Sequence, residues 1–216
     1  MLNVSNNKTL RGLYAITPDQ PYLDSSLITQ VEQAIRGGAK LLQYRNKNAN
    51  KANRLTIAKK LFSICQTYNI PLIINDDLEL TQTIGAAGIH LGKNDVDLAL
   101  ARQKLGTQAI IGASCYNSLD LAISAQQAGA NYVAFGSFFP STTKPLATLA
   151  QPDLLKQAKA RLYIPIVAIG GINHNNGAKL ISQGADMLAM VGGIFATKDA
   201  ETNAQLIAKL FADVGH

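Results

Sequence analysis

Glycine–alanine pairs punctuate this 216-residue chain at places that leave few folds open. Gly38-Ala39, Gly129-Ala130 and Gly184-Ala185 each end a helical pattern and lead directly into an apolar, strand-like run, and Gly85-Ala86 does so two residues earlier. A glycine at a helix C-terminus supplies the left-handed residue that turns the chain into the next element. Between these marks, short apolar runs predict strands over Leu13–Ile16, Lys40–Tyr44, Pro71–Ile74, Gly88–Leu91, Ala109–Ala113, Tyr132–Phe135, Pro165–Ile169 and Ala185–Val191. Helical patterns follow each strand: Ser25 or Ser26 to Arg36, Asn53–Tyr68, a short helix after Asp77, and Val96–Lys104 in the first half. Ser118–Ala128, Pro152–Ala160, Asn173–Ser182 and one last helix follow in the second. Eight strand–helix units without a long linker predict a single α/β domain over residues 1–216, a (β/α)8 TIM barrel with a polar tail at 1–10. The same alternation also permits a doubly wound open sheet.

Bulk composition narrows the function. A chain that is 47% hydrophobic and 16% charged, with no Trp, fits an aliphatic α/β core. The net charge of +6 comes from scattered basic residues rather than a face that interleaves them with aromatics. That excludes a nucleic-acid surface and favours small anionic substrates. Cys65 and Cys115 make no disulfide framework and no metal-binding pair. No apolar run approaches the roughly 20 residues of a membrane span, and Met1–Lys8 lacks a signal-peptide core. The expected location is cytoplasmic, with reduced thiols.

The polar residues collect at one end of the strands, the end that carries the active site in such a barrel. The second strand runs out into Gln43-Tyr44-Arg45-Asn46-Lys47, where period two would put Gln43, Arg45 and Lys47 on one side. The third ends in Asn75-Asp76, the fourth leads to Asp95, and the fifth ends at Ser114. The sixth leads into Ser141-Thr142-Thr143-Lys144 between Pro140 and Pro145, and the last two close on Gly170-Gly171 and Gly192-Gly193. Asp76 and Asp95 follow adjacent strands, so both could reach one cation, and two carboxylates with phosphate oxygens suit Mg2+. Each could equally cap the helix that follows it. Arg45, Lys47 and Lys144 with Mg2+ outweigh the two carboxylates by about the charge of a bound pyrophosphate. The two Gly-Gly loops suit a separate monophosphate. A metal–pyrophosphate site beside a monophosphate site implies group transfer with pyrophosphate leaving.

These motifs together resemble the thiamine-phosphate synthase family. Gln43-x-Arg45-x-Lys47, Asn75-Asp76, the run Gly88 to Asp95, Gly112-Ala113-Ser114, Pro140-x-x-Thr143-Lys144 and Ile169-Gly170-Gly171-Ile172 carry the likeness, which runs from about Leu13 to the last helix. The resemblance implies joining of hydroxymethylpyrimidine pyrophosphate to a thiazole phosphate through a carbocation, with release of pyrophosphate and no side-chain nucleophile. It implies Gln43, Tyr44, Arg45, Asn46, Lys47, Asn75, Ser114 and Lys144 around the pyrimidine pyrophosphate, with Lys144, Arg45, Lys47 and Ser114 catalytic. It places Mg2+ on Asp76 and Asp95, and the thiazole phosphate on Ser141, Thr142, Thr143, Gly171, Val191 and Gly192. Three positions depart from the family pattern: Ser141 stands for the usual Thr, Lys93 for a frequent Gln, and Gly192 for the usual Ser.

Cys115 reads as a small buried residue, and His90 as pointing into the barrel or packing locally. His174 belongs to a helix start, and Asp186 to strand-entry polarity. A thiazole tautomerase on the same fold, a sugar-phosphate isomerase or epimerase, and a non-catalytic phosphate-binding module are the competing readings. Partners are expected to be small molecules, with no membrane and no nucleic acid; a homo-oligomer is compatible with the sequence, which does not report oligomeric state.

Overall fold

The computed structural model describes residues 10–19, 25–93, 95–140 and 148–213. Eight parallel strands close into a barrel in sequence order, β1 pairing with both β2 and β8. They are β1 (Gly12–Ile16), β2 (Ala39–Tyr44), β3 (Leu72–Asn75), β4 (Gly88–Leu91), β5 (Ile110–Tyr116), β6 (Tyr132–Phe135), β7 (Ile166–Ile169) and β8 (Met187–Met190). The closed ring removes the open-sheet alternative. Helices α1 (Ser25–Arg36), α2 (Lys51–Thr67), α3 (Leu78–Ile84), α4 (Leu98–Leu105), α5 (Leu119–Gln127), α6 (Asp153–Arg161) and α7 (Gly177–Ser182) link successive strands. After β8 come α8 (Gly192–Phe195) and α9 (Ala200–Asp213), two helices where the sequence suggested one. No helix among the described residues is long and apolar enough to cross a membrane.

Strand alternation sorts the side chains into two layers. Tyr14, Ile16, Leu41, Ile73, Ile110, Tyr132, Val167 and Met187 fill the barrel. Leu13, Ala15, Leu42, Tyr44, Leu72 and Ile74 face outward and pack with Leu27, Val31, Ile57 and Leu61 of the helices. Gly112 shows why the interior takes so large a residue as Tyr132. A Cβ at position 112 would lie 2.0 Å from the Tyr132 ring, so any other residue there would expel the phenol.

The polar anchors divide by end. At the N-terminal end of the barrel, Arg102 Nη1 donates to the carbonyls of Gly106 and Ala109, and its Nη2 to those of Gly129 and the Asn131 side chain. Asp186 there accepts from Lys159 Nζ at 2.6 Å and from the Ile166 N–H at 2.9 Å. Asp186 is therefore a structural pin. Helix α7 begins at Gly177 rather than Asn173 because the asparagines satisfy the backbone locally. Asn176 Oδ1 accepts from the Asn173 N–H, Asn173 Oδ1 from the Asn175 N–H, and Asn176 Nδ2 donates to the Gly171 carbonyl. His174 lies in this exposed turn.

Candidate active site

At the C-terminal ends of the strands, β2, β3 and β4 bring together the residues that the sequence marked for pyrophosphate and metal. Asp77, one residue after Asp76, caps α3 by accepting from the Leu80 N–H, and Asp97 caps α4 by accepting from the Ala99 and Leu100 N–H groups. Asp76 and Asp95 are thereby free of capping duty. Burial, then the neighbouring Asp95 carboxyl, hold the Asp76 pKa above the ordinary carboxylate value. Lys47 Nζ stands 3.1 Å from Asp76 Oδ2 and partly offsets that rise. Asp76 sits at φ 62°, a left-handed conformation that turns its side chain off the strand line. Asp95 Oδ2 accepts from the Gly92 N–H at 2.6 Å, which ties its loop to the end of β4. Among the described residues no three His, Cys, Asp or Glu side chains form a metal cluster. A paired, half-buried set of two carboxylates fits a hard dication that takes its remaining ligands from substrate oxygens and water.

Asp19, three residues past the end of β1, organises the next part of the site. Its Oδ2 pairs with Arg45 Nη1 and its Oδ1 accepts from the Lys47 N–H at 2.6 Å. Buried Thr17 adds a second grip: its hydroxyl accepts from the Arg45 N–H and donates to the Arg45 carbonyl, both at 3.0 Å. The β1 loop thus holds the Arg45 guanidinium and the backbone of Lys47, whose ammonium turns to Asp76, although strand pairing itself stops at Tyr44. Asn46 is buried, and its Oδ1 accepts from the Asn48 and Ala49 N–H groups. It shapes the turn. Tyr44 points away from the barrel interior into the helix layer, where burial pushes its phenol up to about 12. Tyr44, Lys47, Arg54, Asn75, Asp76 and Asp77 line a pocket of about 230 Å³, in which Arg54 Nη1 lies 3.4 Å from Asp77 Oδ2.

Below this cluster a hydrogen-bonded chain crosses the barrel. Gln43 Nε2 donates to Tyr14 Oη at 2.7 Å, Tyr14 Oη meets Tyr132 Oη at 2.7 Å, Tyr132 Oη meets His90 Nδ1 at 3.0 Å, and His90 Nε2 meets Ser114 Oγ at 2.8 Å. The His90 ring stacks on Tyr132, and Tyr132 meets Tyr14 edge to face. Burial raises both phenols well above the usual tyrosine value, so they remain neutral hydrogen-bonding groups. Ser114 lies inside β5, which continues to Tyr116, rather than at its end. Tyr14 and Tyr132 carried no polar signal in the sequence, where each reads as core; His90 does point into the barrel.

On the opposite side, the β6 loop is stitched to β7. Phe138 and Phe139 N–H groups donate to the carbonyls of Ile169 and Gly170, and a Cβ on Gly171 would lie 2.3 Å from the Pro140 carbonyl. At φ 61° that close approach admits glycine. The Gly-Gly pair therefore serves loop packing as well as any anion. Val191 and Gly192 open α8 beside it. Ser141, Thr142, Thr143 and Lys144 lie outside the described residues. Cys115 is buried and its thiol is pushed up to about 12, which leaves it neutral.

The sequence model of the family described as thiamine monophosphate synthase matches residues 13–194. The chain belongs to that family. It is 49% identical over 202 residues to the thiamine-phosphate synthase of Thioalkalivibrio sulfidiphilus, covering 94% of this chain and 96% of that one. It is 50% identical over 203 residues to that of Marinobacter nauticus, covering 93% and 91%. The solved structure of thiamine phosphate pyrophosphorylase from Pyrococcus furiosus superposes with a TM-score of 0.86 at 29% identity, covering 97% of this chain and all of that one. The protein is accordingly a transferase of thiamine biosynthesis acting on small-molecule substrates.

Proposed function

We propose that this single barrel domain joins hydroxymethylpyrimidine pyrophosphate to a thiazole phosphate by a dissociative substitution in the cytoplasm, with Mg2+ held by Asp76 and Asp95. The pairing of these carboxylates, free of the helix caps beside them, carries the reading. When bound, Mg2+ would neutralise charge on the pyrophosphate oxygens. Arg45 and Lys47, set in advance at the end of β2, supply the protein's share of that stabilisation, with Lys144 the third cation. Asn75, lining the same pocket, adds an amide.

In the chemical step the bond from the pyrimidine methylene carbon to the pyrophosphate oxygen breaks, and both electrons leave with pyrophosphate. The thiazole nitrogen then donates its lone pair to the methylene cation, forming the new carbon–nitrogen bond. No protein nucleophile takes part, in keeping with the neutral, buried Cys115. Gln43 and Ser114, the ends of the polar chain, face the pyrimidine pyrophosphate. The buried chain between them offers neutral donors and acceptors suited to an aminopyrimidine edge. Tyr44 and Asn46, which line the pocket with Lys47 and Asn75, complete the pyrimidine-pyrophosphate side. The thiazole phosphate takes backbone N–H groups near Gly171, Val191 and Gly192, together with Ser141, Thr142 and Thr143. Mixing both substrates with Mg2+ and the purified protein should release pyrophosphate stoichiometrically with thiamine phosphate. Absence of pyrophosphate release with folded protein would reject the assignment.

A further inference from the structure

The chain Gln43–Tyr14–Tyr132–His90–Ser114 has a direction. We infer that the Gln43 amide sets the donor sense of every bond in it, and so turns the Ser114 hydroxyl outward as a donor to substrate. This deepens the functional reading above and rests on it for the identity of the ligand. Gln43 Nε2 is a donor, so Tyr14 Oη accepts from it. A phenol has one hydrogen, and with Gln43 filling its acceptor side Tyr14 gives that hydrogen to Tyr132, 2.7 Å away. Tyr132 Oη, now an acceptor, has its own hydrogen left for His90 Nδ1 at 3.0 Å. Nδ1 therefore carries a lone pair, and the neutral ring carries its hydrogen on Nε2. Nε2–H donates to Ser114 Oγ at 2.8 Å. The Ser114 hydrogen is then the one member of the chain not used within it.

An outward O–H is what an anionic phosphate oxygen requires. Reversed, the same heavy-atom positions would aim Ser114 at His90 Nε2 and present only a lone pair to the anion. The chain runs through the buried barrel interior, past the space that Gly112 leaves for the Tyr132 ring. Both tyrosines stay neutral, so the direction holds wherever the His90 ring is itself neutral; a protonated ring would donate from both nitrogens and break it. Gln43 and His90 are thus positioning residues for Ser114, whatever further contacts they make.

The His90 tautomer reports the direction without any substrate. Nitrogen-15 spectra at about pH 8, above the usual histidine pKa, distinguish Nε2–H from Nδ1–H imidazole. The chain holds three histidines, and His174→Gln with His216→Gln leaves the His90 signals alone. Wild type should show neutral His90 with its hydrogen on Nε2. Gln43→Glu, read at a pH where the introduced carboxyl is ionised and accepts only, should reverse the chain and move the hydrogen to Nδ1. An Nδ1–H or doubly protonated ring in wild type would overturn the inference, as would a Gln43→Glu spectrum unchanged from wild type. Should Gln43→Glu not fold, Tyr132→Phe cuts the chain in the middle and should leave a mixture of tautomers; a pure Nε2–H ring there overturns it too. A second readout is pyrophosphate binding by calorimetry in Mg2+. Ser114→Ala should weaken binding about 10–100-fold in wild type, and have almost no effect in the Gln43→Glu background, where the hydroxyl has already turned away. Equal losses in both backgrounds would refute the coupling. Failure of wild type to bind pyrophosphate would strike the functional reading instead, and leave the tautomer result standing.

Discussion

Replacing Asp76 with asparagine separates a metal ligand from a structural acid. Asparagine is the right replacement because position 76 sits at φ 62°, which Asn enters about as readily as Asp. Alanine there would add roughly 1–2 kcal/mol of backbone strain and confuse the result. The helix cap is untouched, since Asp77 provides it. What the substitution removes is an ion pair to Lys47, whose side chain is 59% exposed against 26% for Asp76. A pair so open is worth about 0–1 kcal/mol. Relief of the crowding against Asp95 acts in the opposite direction. Without Mg2+ the variant should therefore melt within about 2–4 °C of wild type, since 1 kcal/mol moves a domain of this size by that much. The pH dependence has a definite sign. The Asp76 pKa is raised by burial and by Asp95, so the stability this carboxyl contributes is present in acid and lost as pH climbs through the raised value. Asp76→Asn should gain on wild type from acid to neutral pH. With Mg2+ at about 100 times its dissociation constant, a ligand of the native state adds about 2.7 kcal/mol, or roughly 5–11 °C for wild type. The variant should lose most of that increment. Scanning calorimetry with and without Mg2+, in parallel with Asp77→Ala, reads all of this. Asp77→Ala should lose about 1 kcal/mol of capping energy and keep the Mg2+ increment. If Asp76→Asn keeps the full increment, or melts far below wild type without metal, the ligand assignment fails.

Three further substitutions test the rest of the site. Asp19→Ala removes the clamp on Arg45 and the Lys47 N–H and should raise the KM for pyrimidine pyrophosphate about 10-fold, with that for thiazole phosphate unchanged; tighter pyrophosphate binding by the freed Arg45 would show that the clamp only quenches charge. Gly192→Ser meets no steric obstacle, because a Cβ there has nothing within 4 Å, and should tighten thiazole phosphate about 10–100-fold by adding a hydroxyl donor to a charged group; unchanged affinity at unchanged melting temperature would move the phosphate away from position 192. Lys144→Ala should lower turnover by about 10²–10³ if the ammonium stabilises departing pyrophosphate, and near-normal turnover in folded protein would reject that role.

How much of this was readable beforehand depends on the separation over which each contact acts. Strands β4 and β6 lie where the apolar runs placed them, since both are short, buried and bounded by turn residues. Strand β5 runs on past Ser114 because its pairing with β6 skips a residue between Ser114 and Tyr116, a bulge that no alternation pattern announces. The Asp19 clamp spans 26 residues, and the Tyr14–Tyr132 bond spans 118. Before the barrel closes, those side chains read as a loop acid and two core aromatics.

The acidic pair differs from those contacts, because both acids stood out in the sequence while their choice between cap and ligand stayed open there. A helix start needs one capping side chain, and the residue immediately before the helical pattern is placed to accept from the N–H groups of its first turn. Asp77 stands directly before Leu78, and Asp97 directly before Leu98. Each fills its cap. Asp76 and Asp95 are therefore surplus acids at the ends of neighbouring strands, brought into mutual contact where burial penalises their charge. Two carboxylates crowded in that position favour a cation beside them, and the exposed Lys47 supplies only part of the compensation. The caps thus leave Asp76 and Asp95 available for the metal role proposed above, a division that only the folded helix starts reveal.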